Sequence, residues 1–333
     1  MSLHEIENAY ELLYQSVELL QNELHVSFYE GYIAQLELML DIKSIHDFPF
    51  SEEGRKQWLE NAEKFAKISL AAEEKRKVSQ LVLLKGATID PLQANHQLTP
   101  DSIGYLMVYL IEQLVAKKEL RLLDPAVGTG NLLATITLNL TLAGRKVESL
   151  GVDIDDLLLQ IAALNAEWFE MPVHLFHQDA TQALLTEPVD VVVSDFPIGY
   201  YPLDEKIADF KTRHEGDHSY AHHVLMEAAM NDLNEEGFGL FLVPANLLSS
   251  EQSGDLKRWL NEDVYIQALL QLPSEFFKSE HSQKNILILQ NRNDKTKQAT
   301  ETLIAELPSL RDMNRVKQFF NQFKEWQQKN LMN

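Results

Sequence analysis

The spacing of apolar positions changes character near residue 96. Before it, Leu12, Leu13, Val17, Leu19, Leu20 and Leu24 recur at helical intervals, as do Ile33, Leu36, Leu38, Met39 and Leu40. Asp47-Phe48-Pro49-Phe50-Ser51-Glu52 interrupts that pattern as a loop with a helix N-cap at its end. Glu73–Gln80, mixed in sign, reads as a solvated helix face. Residues 1–94 are therefore expected to form a helical N-terminal module acting as a structural cap or dimerisation element. Beyond it come short apolar runs at Leu120–Leu123, Ser149–Ile154, Val173–His177, Val189–Ser194, Phe238–Val243, Ile266–Leu272 and Asn285–Gln290. Helical stretches separate the first six, which predicts parallel strands joined by crossovers. Only Pro273–Lys284 separates the last two, so the final strand is expected to run antiparallel. Residues 95–333 thus read as one α/β domain, a Rossmann-like sheet of seven strands, closed by a packing helix over Ser309–Asn333 with Met313, Val316, Phe319, Phe320, Phe323 and Trp326 at helical spacing.

Composition narrows the chemistry. A chain of 333 residues that is 45% hydrophobic can bury a sizeable core with an added module. The absence of cysteine excludes disulfides and thiolate metal sites. The opening MSLHEIENAYELLYQ has neither a basic nor an apolar export region, and no apolar segment is long enough to span a bilayer, so a cytoplasmic protein without a membrane partner is expected. A net charge of −21 without a rich Lys/Arg cluster argues against tight, unaided binding of duplex DNA.

The strand ends carry the candidate chemistry. After the first strand, Asp124 leads into a loop containing Ala126, Gly128 and Gly130, and a helix begins at Asn131. Glycines at such a bend let a ligand approach the backbone. A carboxylate there suits a ligand bearing an ammonium rather than a pyrophosphate, and Leu133 stands where the nicotinamide pattern needs its third glycine. This points to S-adenosylmethionine as cofactor. Asp153, followed by Ile154, lies where a carboxylate accepts ribose hydroxyls, with Asp155 as a competitor that more naturally caps the next helix. Asp179, followed by Ala180, stands where it could accept from an adenine amino group or simply cap a helix.

After the fourth strand, Asp195-Phe196-Pro197-Ile198 resembles the Asp/Asn/Ser-Pro-Pro-aromatic motif of amino-group methyltransferases. A conjugated amine is a poor nucleophile, so a side-chain oxygen and an adjacent carbonyl that accept its N–H bonds aim the lone pair at the methyl group. Phe196 replaces the first proline but keeps its carbonyl, and Ile198 replaces the ring that stacks on a flipped base; Tyr200 or Tyr201 could supply one instead. Leu98-Thr99-Pro100 looks like the Tyr-Thr-Pro segment of N6-adenine DNA methyltransferases. With GFGLFLVP at 237–244, LQLP at 270–273 and NILIL at 285–289, residues 95–292 resemble the modification subunits of type I restriction systems. The combination resembles small orphan adenine-methyltransferase-like proteins of Gram-positive bacteria, which implies a chain without a target-recognition domain.

The resemblance implies a class I methyltransferase fold. By the same resemblance, Thr99, Asp124, Ala126, Gly128, Gly130, Asn131, Asp153, Ile154, Asp179, Ala180 and Asp195 would hold the cofactor, and Asp195, Phe196, Pro197 and Tyr200 would serve catalysis. His214, His218, His222 and His223 read as solvated or substrate-lid histidines, and no metal is expected. Three readings stay open. The chain could be a DNA adenine methyltransferase borrowing specificity from a protein partner or a second copy bound through the helical module. It could instead methylate a protein glutamine or an RNA base, or bind the cofactor without catalysis.

Overall fold

The structure, a computed structural model, describes residues 3–91, 98–216, 218–277, 279 and 282–331. The expected boundary at 94/95 and the residues Asn95, His96 and Gln97 lie outside them. The first part folds as four helices, α1 (Leu3–Leu24), α2 (Phe28–Leu40), α3 (Glu52–Phe65) and α4 (Ala72–Ile89). Ser27 caps α2 in a reciprocal box with Glu30, and Ser51 caps α3 by accepting from the Gly54 N–H.

The rest alternates. It runs α5 (Asp101–Leu114), β1 (Glu119–Asp124), α6 (Asn131–Leu142), β2 (Lys146–Asp153), α7 (Asp156–Trp168), β3 (Val173–His177) and β4 (Val189–Asp195). Then follow α8 (Ala221–Asn231), β5 (Leu233–Pro244), α9 (Ser253–Glu262), β6 (Val264–Gln271), β7 (Lys284–Asn291), β8 (Leu303–Glu306) and α10 (Met313–Asn330). The sheet order is β3-β2-β1-β4-β5-β7-β6-β8. β7 is antiparallel to both neighbours and the other adjacent pairs are parallel. The seven expected strands are thus present with the seventh reversed, and an eighth extends the edge. That strand has only four residues, alternately half-buried and exposed, too short for its period to stand out.

One face of the sheet packs on α5, α6 and α10, the other on α8 and α9. Tyr109 of α5 stacks on Phe320 of α10 with centroids 3.8 Å apart and donates its hydroxyl to the Phe320 carbonyl at 2.7 Å. The four-helix part shares a core with the sheet domain: Tyr29, Tyr32, Val78 and Val82 pack with Ala134, Leu138, Ile161, Trp168 and Phe169. One polar knot sits inside that core. Tyr32 Oη donates to Asn165 Oδ1 at 2.7 Å and lies 2.7 Å from Ser79 Oγ, joining α2, α4 and α7.

Glu73–Gln80 departs from expectation. Arg76, Val78, Ser79 and Gln80 are buried rather than solvated. Arg76 binds Asp101 through two nitrogens at 2.9 Å and donates to Asn131 Oδ1 at 3.1 Å, so its charge is spent at the starts of α5 and α6.

The α2–α4 crossing is close enough to test. A Cβ on Gly86 of α4 would overlap the Phe28 ring of α2. Gly86→Ala should therefore destabilise the protein by about 1–3 kcal/mol. Gly254→Ala in α9, where a Cβ meets open space, should be neutral or stabilising by about 0.4–1 kcal/mol. Equal denaturation midpoints for the two variants would contradict this packing.

Candidate active site

A cavity of about 510 Å³ opens at the carboxyl ends of β1, β2 and β4, the side where open α/β sheets bind ligands. Its floor is the bend after β1. Gly128 and Gly130 have φ of +53° and +80°, values that L side chains resist, and a Cβ on Gly128 would meet nothing within 4 Å. At Gly128 the backbone is both bent and bare. Gly130 fits against Ala162 of α7, and α6 starts at Asn131.

Asp124 is 1% exposed yet lines the cavity. The Ala126 N–H and the Ser194 hydroxyl both donate to its Oδ1, at 3.1 and 2.9 Å. Burial pushes its carboxyl up to about 7, with Asp153 and Asp195 adding to the rise. A carboxylate held at such cost is relieved by a cation. Asp153 accepts from the Gly128 N–H at 2.7 Å and the Asp155 N–H at 2.9 Å, so it pins the glycine loop while facing the cavity. Asp155 caps α7 by accepting from Leu158 N–H at 3.0 Å. Ala126 and the exposed Ile154 line the same cavity.

Asp179 caps no helix. Its Oδ1 takes the Thr181 N–H and hydroxyl, at 3.0 and 2.8 Å, and its Oδ2 takes the Tyr201 hydroxyl at 2.7 Å with Lys206 at 3.5 Å. Burial pushes this carboxyl up, but those donors outweigh it and hold it below the usual range. Both oxygens are engaged, and Asp179 lines the cavity together with Ala180 and Tyr201.

Asp195 ends β4 and also lines the cavity. Thr99 Oγ1 donates to its Oδ2 at 2.9 Å, and Lys284 forms an ion pair with its Oδ1. Phe196 is buried against Phe241, with ring centroids 5.3 Å apart, while Pro197 and Ile198 line the cavity. Tyr200 is 59% exposed and backed by a stack, Tyr200 on Tyr220 at 5.3 Å and Tyr220 on His222 at 5.5 Å. Tyr200 therefore presents a ring at the cavity, whereas Tyr201 is spent on Asp179. Asn131 accepts from Arg76 and donates to the Thr99 carbonyl at 3.2 Å, so its side chain braces the site.

The histidines divide. His218 is exposed and within 2.6 Å of Asp204. His222 and His223 are buried at 4% and 0% exposure rather than solvated, because they open α8 under the Tyr220 ring.

Sequence reasoning also missed Lys284, and with it Tyr29, Leu83 and Ala87, which line the cavity from α2 and α4. Lys284 had one signal: a strand antiparallel to its neighbours begins where they end, so its first residue lies at their carboxyl termini. The helical residues had none in local pattern.

Comparison with known proteins places the chain among relatives. The N-6 DNA methylase family matches residues 77–332, and the YtxK N-terminal helical domain matches residues 7–87. An uncharacterized protein of Bacillus subtilis strain 168, YtxK, is 38% identical over 319 residues, covering 95% of this chain and 96% of that one. A Listeria monocytogenes crystal structure, provisionally described as a class I S-adenosylmethionine-dependent methyltransferase, superposes with TM-score 0.88 at 34% identity, over 98% of this chain and 99% of that one. The type I restriction-modification methyltransferase subunit of Streptococcus thermophilus shares the fold at TM-score 0.62 and 14% identity, over 95% of this chain and 74% of that one.

The buried histidine pair generates a pH prediction. Burial, with His222 and His214 nearby, pushes His223 down to about 3, so it stays neutral in the fold while the unfolded chain protonates near 6.5. Its contribution is lost as pH falls below about 6.5, at up to about 1.4 kcal/mol per pH unit. His223→Phe should therefore gain on the wild type by about 2 kcal/mol between pH 7 and pH 5. A stability difference that does not change with pH in urea titrations would contradict it.

Proposed function

The chain belongs to the N-6 DNA methylase family, and on that premise we propose that it transfers a methyl group from S-adenosylmethionine to a planar amino nitrogen, with N6 of adenine in DNA as the leading acceptor. The observation that carries this reading is the convergence of Asp124, the bare Gly128 loop, Asp153 and Asp195 on one cavity. The cofactor's ammonium would meet the buried carboxylate of Asp124, its ribose Asp153, and its methyl group the Asp195 end. The cofactor supplies an activated methyl group; the chain's own residues orient the acceptor. Asp195 and the Phe196 carbonyl would take the N–H bonds of the amine, and Tyr200 would stack on its ring. With a net charge of −21, the isolated chain should hold duplex DNA weakly, and a protein partner or second copy would supply the specificity.

A second reading has a specific observation behind it. Lys284 and Thr99 already engage both oxygens of Asp195, which favours a protein that binds the cofactor without transferring its methyl group. Labelled S-adenosylmethionine offered to DNA, RNA and cell-extract protein separates the two. On the first reading one acceptor becomes labelled, and Asp195→Ala abolishes turnover while cofactor affinity is largely kept, because the lost contact acts mainly in the transition state. Turnover that survives Asp195→Ala would remove the mechanism, and no label in any acceptor would leave the second reading.

Proton linkage tests the cofactor site separately. With Asp124 near 7 in the free protein, an ammonium that requires it ionised must expel its proton. Binding at pH 6 should release close to one proton, about 0.9 for a group titrating near 7, and the release should fade above pH 7. Calorimetry in buffers of different ionisation enthalpy measures this. Asp124→Asn should remove the effect; a binding enthalpy independent of buffer at pH 6 would contradict it.

A further inference from the structure

Tyr29 is a residue of the helical module, 2% exposed, and it lines the cavity described above. Its hydroxyl is buried and has no hydrogen-bond partner among the described residues. A buried O–H without an acceptor costs about 1–3 kcal/mol, so proteins rarely leave one without a use. The ring is firmly placed: it meets Phe28 edge-on at 5.7 Å, and Tyr32, one turn along α2, is anchored to Ser79 and Asn165. Asn165 in turn donates to the Thr129 carbonyl at 3.4 Å, which ties α2 to the glycine loop. On α4, Ser79 marks that anchor, and Leu83 and Ala87, one and two turns on, line the cavity beside Tyr29. The helical module is therefore a wall of the cavity, and Tyr29 on that wall carries a buried hydroxyl without a partner among the described residues.

We propose that Tyr29 donates a hydrogen bond to an oxygen of the bound S-adenosylmethionine, either its carboxylate or a ribose hydroxyl, so that the helical module completes the cofactor site. This rests on the cofactor reading given above. Two features support a donor role. Burial, with Asp90 nearby, pushes the Tyr29 phenol up to about 12, so it keeps its proton at neutral pH. Asp90 Oδ2 accepts from the Phe28 N–H at 3.2 Å.

The test is Tyr29→Phe in the full chain, with Kd measured by calorimetry for S-adenosylmethionine, S-adenosylhomocysteine and 5′-methylthioadenosine, and the melting temperature taken without ligand. The variant should bind S-adenosylmethionine and S-adenosylhomocysteine roughly 5- to 50-fold more weakly. Without ligand it should melt at the wild-type temperature or above, since it loses only an unpaired buried hydroxyl. A loss confined to the two ligands that carry the amino-acid end assigns the carboxylate; an equal loss for 5′-methylthioadenosine assigns the ribose. Wild-type affinity in the variant overturns the proposal and leaves the cofactor reading standing. A lower melting temperature without ligand makes the hydroxyl structural and also overturns it. A wild type that binds none of the three ligands overturns both.

Discussion

Arg76 carries a full positive charge with 1% of its surface exposed, and it is tolerated there because its guanidinium N–H groups have acceptors. Glu73 takes Nε and Nη2 at 2.8 and 2.9 Å, Asp101 takes Nη1 and Nη2, and Asn131 takes Nη1. Those acceptors lie on three helices. Glu73 belongs to α4, Asp101 opens α5 and Asn131 opens α6 directly after the glycine bend. One buried charge therefore fixes the four-helix part, the Thr99–Pro100 approach to α5 and the loop that floors the cavity. The chain of bonds continues. Asn131 donates to the Thr99 carbonyl, and the Thr99 hydroxyl donates to Asp195. A polar path thus runs from the helical module to the carboxylate at the end of β4.

This arrangement changes what the acidic residues do. In a site read as a set of ligand contacts, Asp153, Asp179 and Asn131 would each face the cofactor. Here Asp153 first holds the Gly128 N–H, Asp179 first holds Tyr201 and the Thr181 turn, and Asn131 first holds Arg76 and Thr99. They build the cavity's shape before any ligand arrives. Asp124 is the exception among the carboxylates that line the cavity. Its donors converge on one oxygen, its burial raises it, and it borders the cavity. Preorganised walls around one strained carboxylate are what a cationic ligand would exploit.

Much of this was legible in the sequence because it is local. The strand–Asp–glycine–helix bend, Asp153 at the end of β2, Asp155 as a cap and the Asp195 segment are each written in a few consecutive residues. The reversed seventh strand followed from the short Pro273–Lys284 connection. What was not legible depends on distant pairings. Arg76 sits in a charged stretch whose local pattern is that of a solvent-facing helix, and only Asp101 and Asn131 explain its burial. His222 and His223 look like loop histidines until the stack of Tyr200 and Tyr220 covers them. Lys284 reaches Asp195 across 89 residues, and Tyr29 reaches the cavity through the fold of α2 and α4 over the glycine loop. β8 was too short to show its period.

The proposed site for S-adenosylmethionine is one cavity, walled by the helical module and floored by the Gly128 bend. A crystal structure of the full chain grown with S-adenosylhomocysteine tests it most directly. The expected structure has the ligand's amino group on Asp124, its ribose hydroxyls on Asp153 and its sulfur turned toward Asp195, with the Tyr29 hydroxyl on the ligand's carboxylate or ribose. A ligand seated elsewhere on the molecule, or density for none in that cavity at saturating concentration, would contradict it.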